Sequence, residues 1–526
     1  MEFLQRGINM RFFHDLIGHF RAEDVPYPPA GDTARLYSFR SFLLLLLCWL
    51  ALWTLLPTAY IGNVPIDVAE NVAWGQNLEL GYDKNPYFGA WLSSAVFRLF
   101  PHDWIFYLMS QLAVFFGVAA AYRLTREITR SSFVAFVSGV STLLIPFFSH
   151  SANEFNDDVM SIALWGLSAL YFYRAVRNDT VREWIATGCF AGLALMTKYL
   201  AGALLLSLGV LLFVTPEGRK CWKRPGVYLG AALSLVLVVP NVVWLFKNDF
   251  VAIRYAIGRA DLQNGVEWSA HLIHPAELLR DFLYRLAAPV AAALIFRRSR
   301  RRADDRFGRA FLRCAGAGPL VLSLLFSLAT GGDVLTSWLT PYYVFAVPLL
   351  FAEYRPLPDR RQLEFFAGLF VLTTTLTTVA FAYEYLYRRP YLKSGVNFNV
   401  YPGRQVAAEL TRLWRERFDR PVPYAIGRRN DCCYMNYYSP DRPRAFFDHD
   451  TAQAPSIDPA DVAKRGAVVI WRDGRPAYLD RYSERLSEEM TVSCERAIPR
   501  WLRDLAGAPR TVAVHAVFIL PQGEGK

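Results

Sequence analysis

At 526 residues, with 53% hydrophobic and only 20% charged residues, the chain is too apolar for a string of soluble domains. Its charges are unevenly spread: long stretches carry almost none, while connectors such as Arg297-Arg298-Ser299-Arg300-Arg301-Arg302 are crowded with them. The net charge of +11 therefore does not point to nucleic acid, because cytoplasmic loops of membrane proteins collect Lys and Arg.

Residues 1–40 read as a cytoplasmic N-terminal segment. Within it, residues 1–21 set Phe3, Leu4, Met10, Phe13, Ile17 and Phe20 among polar residues, a pattern that suits a helix lying at the membrane interface. A span needs roughly 20 apolar residues, and the first, 41–61, is too long for a signal-peptide core and reads as an uncleaved anchor. Further spans are expected near 103–121, 132–149, 158–175, 226–246, 278–296, 312–330, 338–353 and 363–387. The region 184–214 is long for one helix and short for two. Basic connectors follow Arg123/Arg126/Arg130, Arg174/Arg177/Arg182, Arg219/Lys220/Lys223/Arg224, the arginine run 297–302 and Arg355/Arg360/Arg361. All of them lie on the cytoplasmic side only if 184–214 crosses twice, with Lys198 at its outer turn. That gives about eleven spans over residues 41–387. Residues 388–526 are ordinary in polarity. Ala467–Trp471 and Thr511–Leu520 read as strands and 404–418 as a helix, hence a small α/β domain on the periplasmic side.

The seven cysteines are scattered. Cys48, Cys189 and Cys314 in apolar segments and Cys221 in a basic loop read as free thiols. Cys432, Cys433 and Cys494 share the C-terminal region, where one disulfide from Cys494 to Cys432 or Cys433 is expected if the region is extracytoplasmic.

The chemistry concentrates on the outer side. The first outer loop, 62–102, carries Asp67 and Glu70, three apart and so on one face of a helix, with Trp74 and Leu78 extending a stripe toward the bilayer. Lys84 follows, just before a new helix. The bland alternative makes Asp67 a helix cap and Lys84 a solvated charge. Asn153-Glu154-Phe155-Asn156-Asp157-Asp158 leads straight into the fourth span, where acids are costly unless they serve a site or stay wet. Capping explains Asp157 as well as function does, which leaves Asp158 as the stronger candidate. Lys198 and, after Trp244, Asn248, Asp249, Arg254 and Arg259 complete the set. Carboxylates and cations at a bilayer surface suit a substrate with a phosphate and a lipid tail.

Asp67-x-x-Glu70, Gly81-Tyr82-x-Lys84-x-Pro86 and Ala90-Trp91-Leu92 together resemble the first-loop signature of the bacterial family 39-type glycosyltransferases. That group includes protein O-mannosyltransferase-like enzymes and the transferase that adds aminoarabinose to lipid A. Asp158 with Trp165, Thr197-Lys198, Pro240-Asn241-Val242-Val243-Trp244, Trp338-Leu339-Thr340-Pro341 and Asn436-Tyr437-Tyr438-Ser439-Pro440 are similar to later landmarks, in order along most of the chain. Asn85, Tyr199 and Ser337 depart from the pattern. The resemblance implies a GT-C membrane fold and inverting transfer from a polyprenyl-phosphate sugar to lipid A, lipopolysaccharide core or an exported protein. It casts Asp67 as base, Glu70 and Asp158 as groups orienting base or sugar, and Lys84, Lys198 and Arg254 as phosphate ligands. No cofactor and no obligatory metal are implied, although the acids near His150 could hold a metal adventitiously. A lipid-linked sugar transporter is the alternative of another class; it predicts charges near the bilayer midplane and paired repeats, neither of which is visible.

Overall fold

The computed structural model describes residues 37–262, 266–298, 305–393, 396, 400–498 and 510–523. The amphipathic segment expected over 1–21 and residues 299–302 of the arginine run lie outside them.

Among the described residues, six helices are long and apolar enough to cross a membrane: Phe39–Tyr60, Asp103–Thr129, Asp157–Asn178, Pro225–Lys247, Arg306–Thr330 and Arg360–Leu392. Ser132–Thr142, Val181–Thr197, Ala201–Gly209, Ala270–Leu294 and Tyr343–Tyr354 are also helical. Each apolar segment read from the sequence thus holds a helix, and 184–214 is divided at Lys198 between Val181–Thr197 and the apolar stretch Ala201–Val214.

Local chemistry sets the boundaries. Ser131, Asn156 and Thr180 stand before three of these helices, and each side chain accepts a hydrogen bond from a backbone N–H of the first turn. Small residues then let helices touch backbone to backbone. A Cβ on Gly188 would lie 2.0 Å from the carbonyl oxygen of Gly230, so Val181–Thr197 and Pro225–Lys247 cross closely only because both positions are glycine. Leu235, Val236, Phe365, Val371 and Leu376 stay exposed on the helices they belong to. Such faces are costly in water and ordinary against lipid.

The basic connectors are tied to one another. Arg174 pairs with Glu127, Arg177 with Asp305 and Arg224 with Asp179, and the Leu357 N–H donates to the Arg297 carbonyl. They therefore gather at one end of the bundle, and Asp67, Glu70, Lys84, Asp158 and Lys198 lie at the other.

The C-terminal unit carries a five-stranded sheet in the order β2-β1-β3-β5-β4. Its strands are β1 (Tyr424–Gly427), β2 (Arg444–Phe447), β3 (Ala467–Trp471), β4 (Met490–Glu495) and β5 (Thr511–Ile519). The first three are parallel and β5 runs antiparallel to both β3 and β4. Helix Gly403–Phe418 buries Val406, Leu410 and Trp414, and helix Arg429–Tyr438 buries Cys432, Cys433, Met435 and Tyr437. These side chains share one core with Val68, Val72, Trp74 and Tyr82 of the first loop.

That shared core corrects two expectations. Trp74 does not face the bilayer; it is buried, stacked on Tyr82 at 5.3 Å. The expected disulfide is absent, and Cys432, Cys433 and Cys494 are free thiols. The Cys432 thiol donates a hydrogen bond to the Gly427 carbonyl at the end of β1, whereas Cys494 sits on β4 at the sheet's far edge. Three strand spacings, roughly 14 Å, separate β1 from β4, beyond the reach of an S–S bridge.

Candidate functional site

The first loop is a scaffold of two short helices, Ile66–Gly75 and Phe88–Leu99, joined by residues 76–87, within which Tyr82 to Asn85 make a tight turn. Tyr82 N–H donates to the Asn85 carbonyl at 3.0 Å, and this turn presents Lys84. The helix Pro225–Lys247 holds the approach to it. Asn241 donates to the Leu80 carbonyl at 2.7 Å, and the Trp244 indole donates to Glu79 at 3.1 Å. Gly81 lies flat on that pair, where a Cβ would come within 2.5 Å of the Trp244 ring.

Asp67 stands at the second position of Ile66–Gly75; the residue before that helix is Pro65, so Asp67 is not its cap. Asp67 Oδ2 accepts a hydrogen bond from Asn156 Nδ2 at 3.1 Å. One turn on, Glu70 Oε1 accepts from Lys84 Nζ at 2.7 Å and from Arg429 Nη1 at 2.6 Å. Lys84 is thus not a solvated surface charge.

At the fourth span the cap is Asn156, which accepts from Val159 N–H, and not Asp157. Asp157 is buried and accepts from Asn85 at 2.6 Å. Asp158 is paired with Lys198, whose ammonium also lies 5.4 Å from the Trp338 ring centre. Seven residues further, Trp165 stacks on Tyr342 at 5.3 Å, fixing this span against the turn that carries Trp338.

A cavity of about 710 Å³ is lined by Asp67, Glu70, Lys84, Asp158 and Lys198 together. Leu200, Leu206, Ile257, Leu322 and Phe326 line its apolar side. Arg254 is exposed and does not line it; Tyr255 and Arg259, on the same short helix Val251–Arg259, do. A second cavity of about 580 Å³ is lined by His150, Glu154, Glu384, Tyr385 and Arg389. Asn156, Asp158 and Ser337 line both, so the two volumes meet at one wall. Among the described residues no group of three or more His, Cys, Asp or Glu is placed to hold a metal ion.

The loop carboxyls are electrostatically distinct. Burial raises the Asp67 carboxyl above the usual range, with Glu70 adding to the effect and Asn156 and Lys84 opposing it. Burial acts on Glu70 as well, but the Lys84 and Arg429 charges outweigh it and hold Glu70 below its ordinary value. Burial and the nearby Asp67 push Glu154 up to about 8, Arg389 opposing. The site therefore offers a proton acceptor of raised basicity beside a clamped carboxylate and a carboxyl that burial pushes toward its protonated form.

Sequence reasoning missed Arg429 and Glu154 as site residues. Glu154 was legible only as one acid in a cluster. Arg429 carried no local signal, since it lies more than three hundred residues from Glu70 and reaches it only because helix Arg429–Tyr438 packs on Ile66–Gly75. Asn436 and Tyr438 of that helix secure the contact, donating to Gln76 at 2.6 Å and to Asp103 at 3.1 Å; Val64 N–H donates to the Tyr438 oxygen at 2.7 Å.

Residues 84–244 match the dolichyl-phosphate-mannose-protein mannosyltransferase family. Over most of its length the chain superposes on the crystal structure of ArnT from Cupriavidus metallidurans bound to undecaprenyl phosphate. The TM-score is 0.58, with 15% identity, 92% of this chain covered and 98% of that one. The chain has the ArnT-like GT-C fold. Apo ArnT from the same organism gives a TM-score of 0.56 at 14% identity, covering 91% of this chain and 98% of that one. Two curated relatives come from Rhizobium johnstonii. The lipid A galacturonosyltransferase RgtD is 25% identical over 249 residues, 46% of this chain and 51% of RgtD. The lipopolysaccharide core galacturonosyltransferase RgtA is 24% identical over 221 residues, 39% of this chain and 42% of RgtA. The chain spans about half the length, or less, of these relatives. With this fold and these helices, it is a multi-pass membrane protein.

Proposed function

We propose that the protein is an inverting glycosyltransferase that moves a sugar from a polyprenyl-phosphate donor to a hydroxyl of lipid A or lipopolysaccharide core. The observation that carries this reading is the single cavity in which Asp67, Asp158, Lys84 and Lys198 converge beside an apolar flank. Such a volume suits a phosphate headed by a sugar and trailed by an isoprenoid. The activities for which RgtD and RgtA are named, and the undecaprenyl phosphate bound to ArnT, favour the same donor and acceptor classes.

In this reading Asp67 removes the proton of the acceptor hydroxyl as its oxygen attacks the anomeric carbon. The bond from that carbon to the phosphate oxygen breaks with inversion. The phosphate leaves as an anion, so it needs positive charge rather than a proton, and Lys84 and Lys198 supply it. Arg259, which lines the cavity, takes the place expected of Arg254, which does not line it. Glu70 and Asp158 hold the two lysines in position. The second cavity admits the acceptor toward the shared wall at Asn156 and Asp158. No cofactor takes part.

The membrane layout belongs to the same proposal. Residues 41–387 cross the inner membrane about eleven times from a cytoplasmic segment 1–40, and 388–526 form a periplasmic domain seated over the loop 62–102. Radiolabelled sugar transfer from a polyprenyl-phosphate donor to outer-leaflet glycolipid tests the chemistry. Asp67→Asn, with normal membrane insertion, is expected to lower transfer by about 10²–10⁴. Undiminished transfer removes Asp67 from the role. Label appearing in protein instead of glycolipid moves the acceptor to an exported polypeptide, and no transfer from the wild type across several donors returns the transporter.

A further inference from the structure

Glu70 Oε1 is shared by two cations, Lys84 Nζ at 2.7 Å and Arg429 Nη1 at 2.6 Å. Lys84 also lies over the Trp74 and Tyr255 rings, at 5.8 and 5.6 Å, but Arg429 is held by further hydrogen bonds. Arg429 Nη2 contacts Asp83 at 2.6 Å and Gln453 at 2.7 Å, and its guanidinium lies 4.3 Å from the Phe447 ring centre. Lys84 lines the 710 Å³ cavity; Arg429 does not. The cluster of Glu70, Asp83, Lys84 and Arg429 holds two acids and two cations, and both carboxylates are buried, with side chains 5% and 4% exposed.

If Lys84 turned from Glu70 to an anion in the cavity, Glu70 would be a buried carboxylate robbed of one partner. A buried charge left alone is strongly unfavourable, and Lys84 would then be held back from any ligand. Arg429 removes that obstacle. It grips the same oxygen from outside the cavity and is fixed there by Asp83, Gln453 and Phe447, so Glu70 stays paired when Lys84 leaves.

We propose that Arg429 of the C-terminal unit is a positioning residue of the donor site: it is the standing counter-ion of Glu70 that releases Lys84 to the phosphate of a polyprenyl-phosphate ligand. The inference rests on the reading of the cavity as a polyprenyl-phosphate site. It also makes donor affinity depend on docking of the C-terminal unit, because no residue of the membrane bundle supplies this guanidinium.

The test is the Kd of undecaprenyl phosphate for the full-length protein in nanodiscs, with thermal unfolding followed in parallel. Arg429→Met is expected to weaken binding by about tenfold or more, because unrelieved Glu70 then keeps Lys84. Adding Glu70→Gln to that variant is expected to restore most of the affinity, since the acid that captures Lys84 is gone. Arg429→Lys, which keeps the charge but not the two-pronged grip, is expected to fall between and serves if Arg429→Met does not fold. Unchanged affinity in a folded Arg429 variant overturns the inference. So does a loss that Glu70→Gln fails to repair, which marks Arg429 as scaffolding alone. A wild type that binds no undecaprenyl phosphate overturns the reading of the cavity itself, and the inference with it.

Discussion

At the scale of single residues, the site depends on placing similar groups in unlike surroundings. Asp67, Glu70 and Glu154 are carboxyls within one small region, yet one is clamped by two cations and two are pushed upward by burial. The Glu154 shift has a consequence for stability. Its folded pKa of about 8 lies above the ordinary 4.5, so between those values the folded state holds a proton that the unfolded chain has lost. The stabilisation is fully present below about 4.5 and is lost as pH rises through about 8. Unfolding temperature measured from pH 5 to 9 is therefore expected to fall less steeply in Glu154→Gln than in the wild type. Identical slopes would place the titration elsewhere. Glu154→Gln resembles the protonated form and is expected to leave the fold intact at pH 6.

At the scale of elements, the first loop depends on what lies under and over it. Helix Pro225–Lys247 supports it through Asn241 and Trp244, and helix Arg429–Tyr438 covers it through Asn436, Tyr438 and Arg429. Gly81 is the point of closest approach, since a Cβ there would meet the Trp244 ring at 2.5 Å and the Asn241 amide at 2.8 Å. Gly81→Ala is expected to cost about 1–3 kcal/mol through forced displacement of the loop, read as a lowered unfolding temperature together with lower transfer. Gly368→Ala provides the control, because nothing lies within 4 Å of its Cβ position, and it is expected to behave as wild type. The pair of landmarks that frame this loop, Pro240–Trp244 and Asn436–Pro440, were readable as motifs, but their joint purpose appears only when both are seen to grip it.

At the scale of the whole molecule, the polarity of the bundle organises everything else. Its basic connectors are bound to one another at one end, and its acids and lysines converge at the other. Alkaline phosphatase fused after residue 526 is expected to be active and a fluorescent protein at the same point dark, as a periplasmic C-terminal unit requires. The opposite pattern inverts the proposed orientation. Deleting residues 400–526 is expected to abolish transfer even where the helices still insert, because it strips Arg429, Asn436 and Tyr438 from the loop. Activity retained by that truncation would make the C-terminal unit dispensable to the site.

The sequence by itself determined the positions of the helices, because burial in lipid demands long apolar runs and their charges can gather only in the connectors. It determined β3, β5 and helix Gly403–Phe418 for a similar reason: short apolar runs between polar turns have few other ways to be buried. It also marked Asp67, Glu70, Lys84, Asp158 and Lys198, since ionisable groups beside apolar spans stand out by their cost. Tertiary structure alone decided how those groups pair. It put Asn156 rather than Asp157 at the helix cap, lined the cavity with Arg259 and not Arg254, and left Cys494 unbridged to Cys432 and Cys433. It also brought Arg429 onto Glu70 from a distant unit. Apart from the cap, which Asn156 makes within its own first turn, these depend on strand order or helix packing between segments far apart in the chain, and periodicity and local cost carry no information about such contacts.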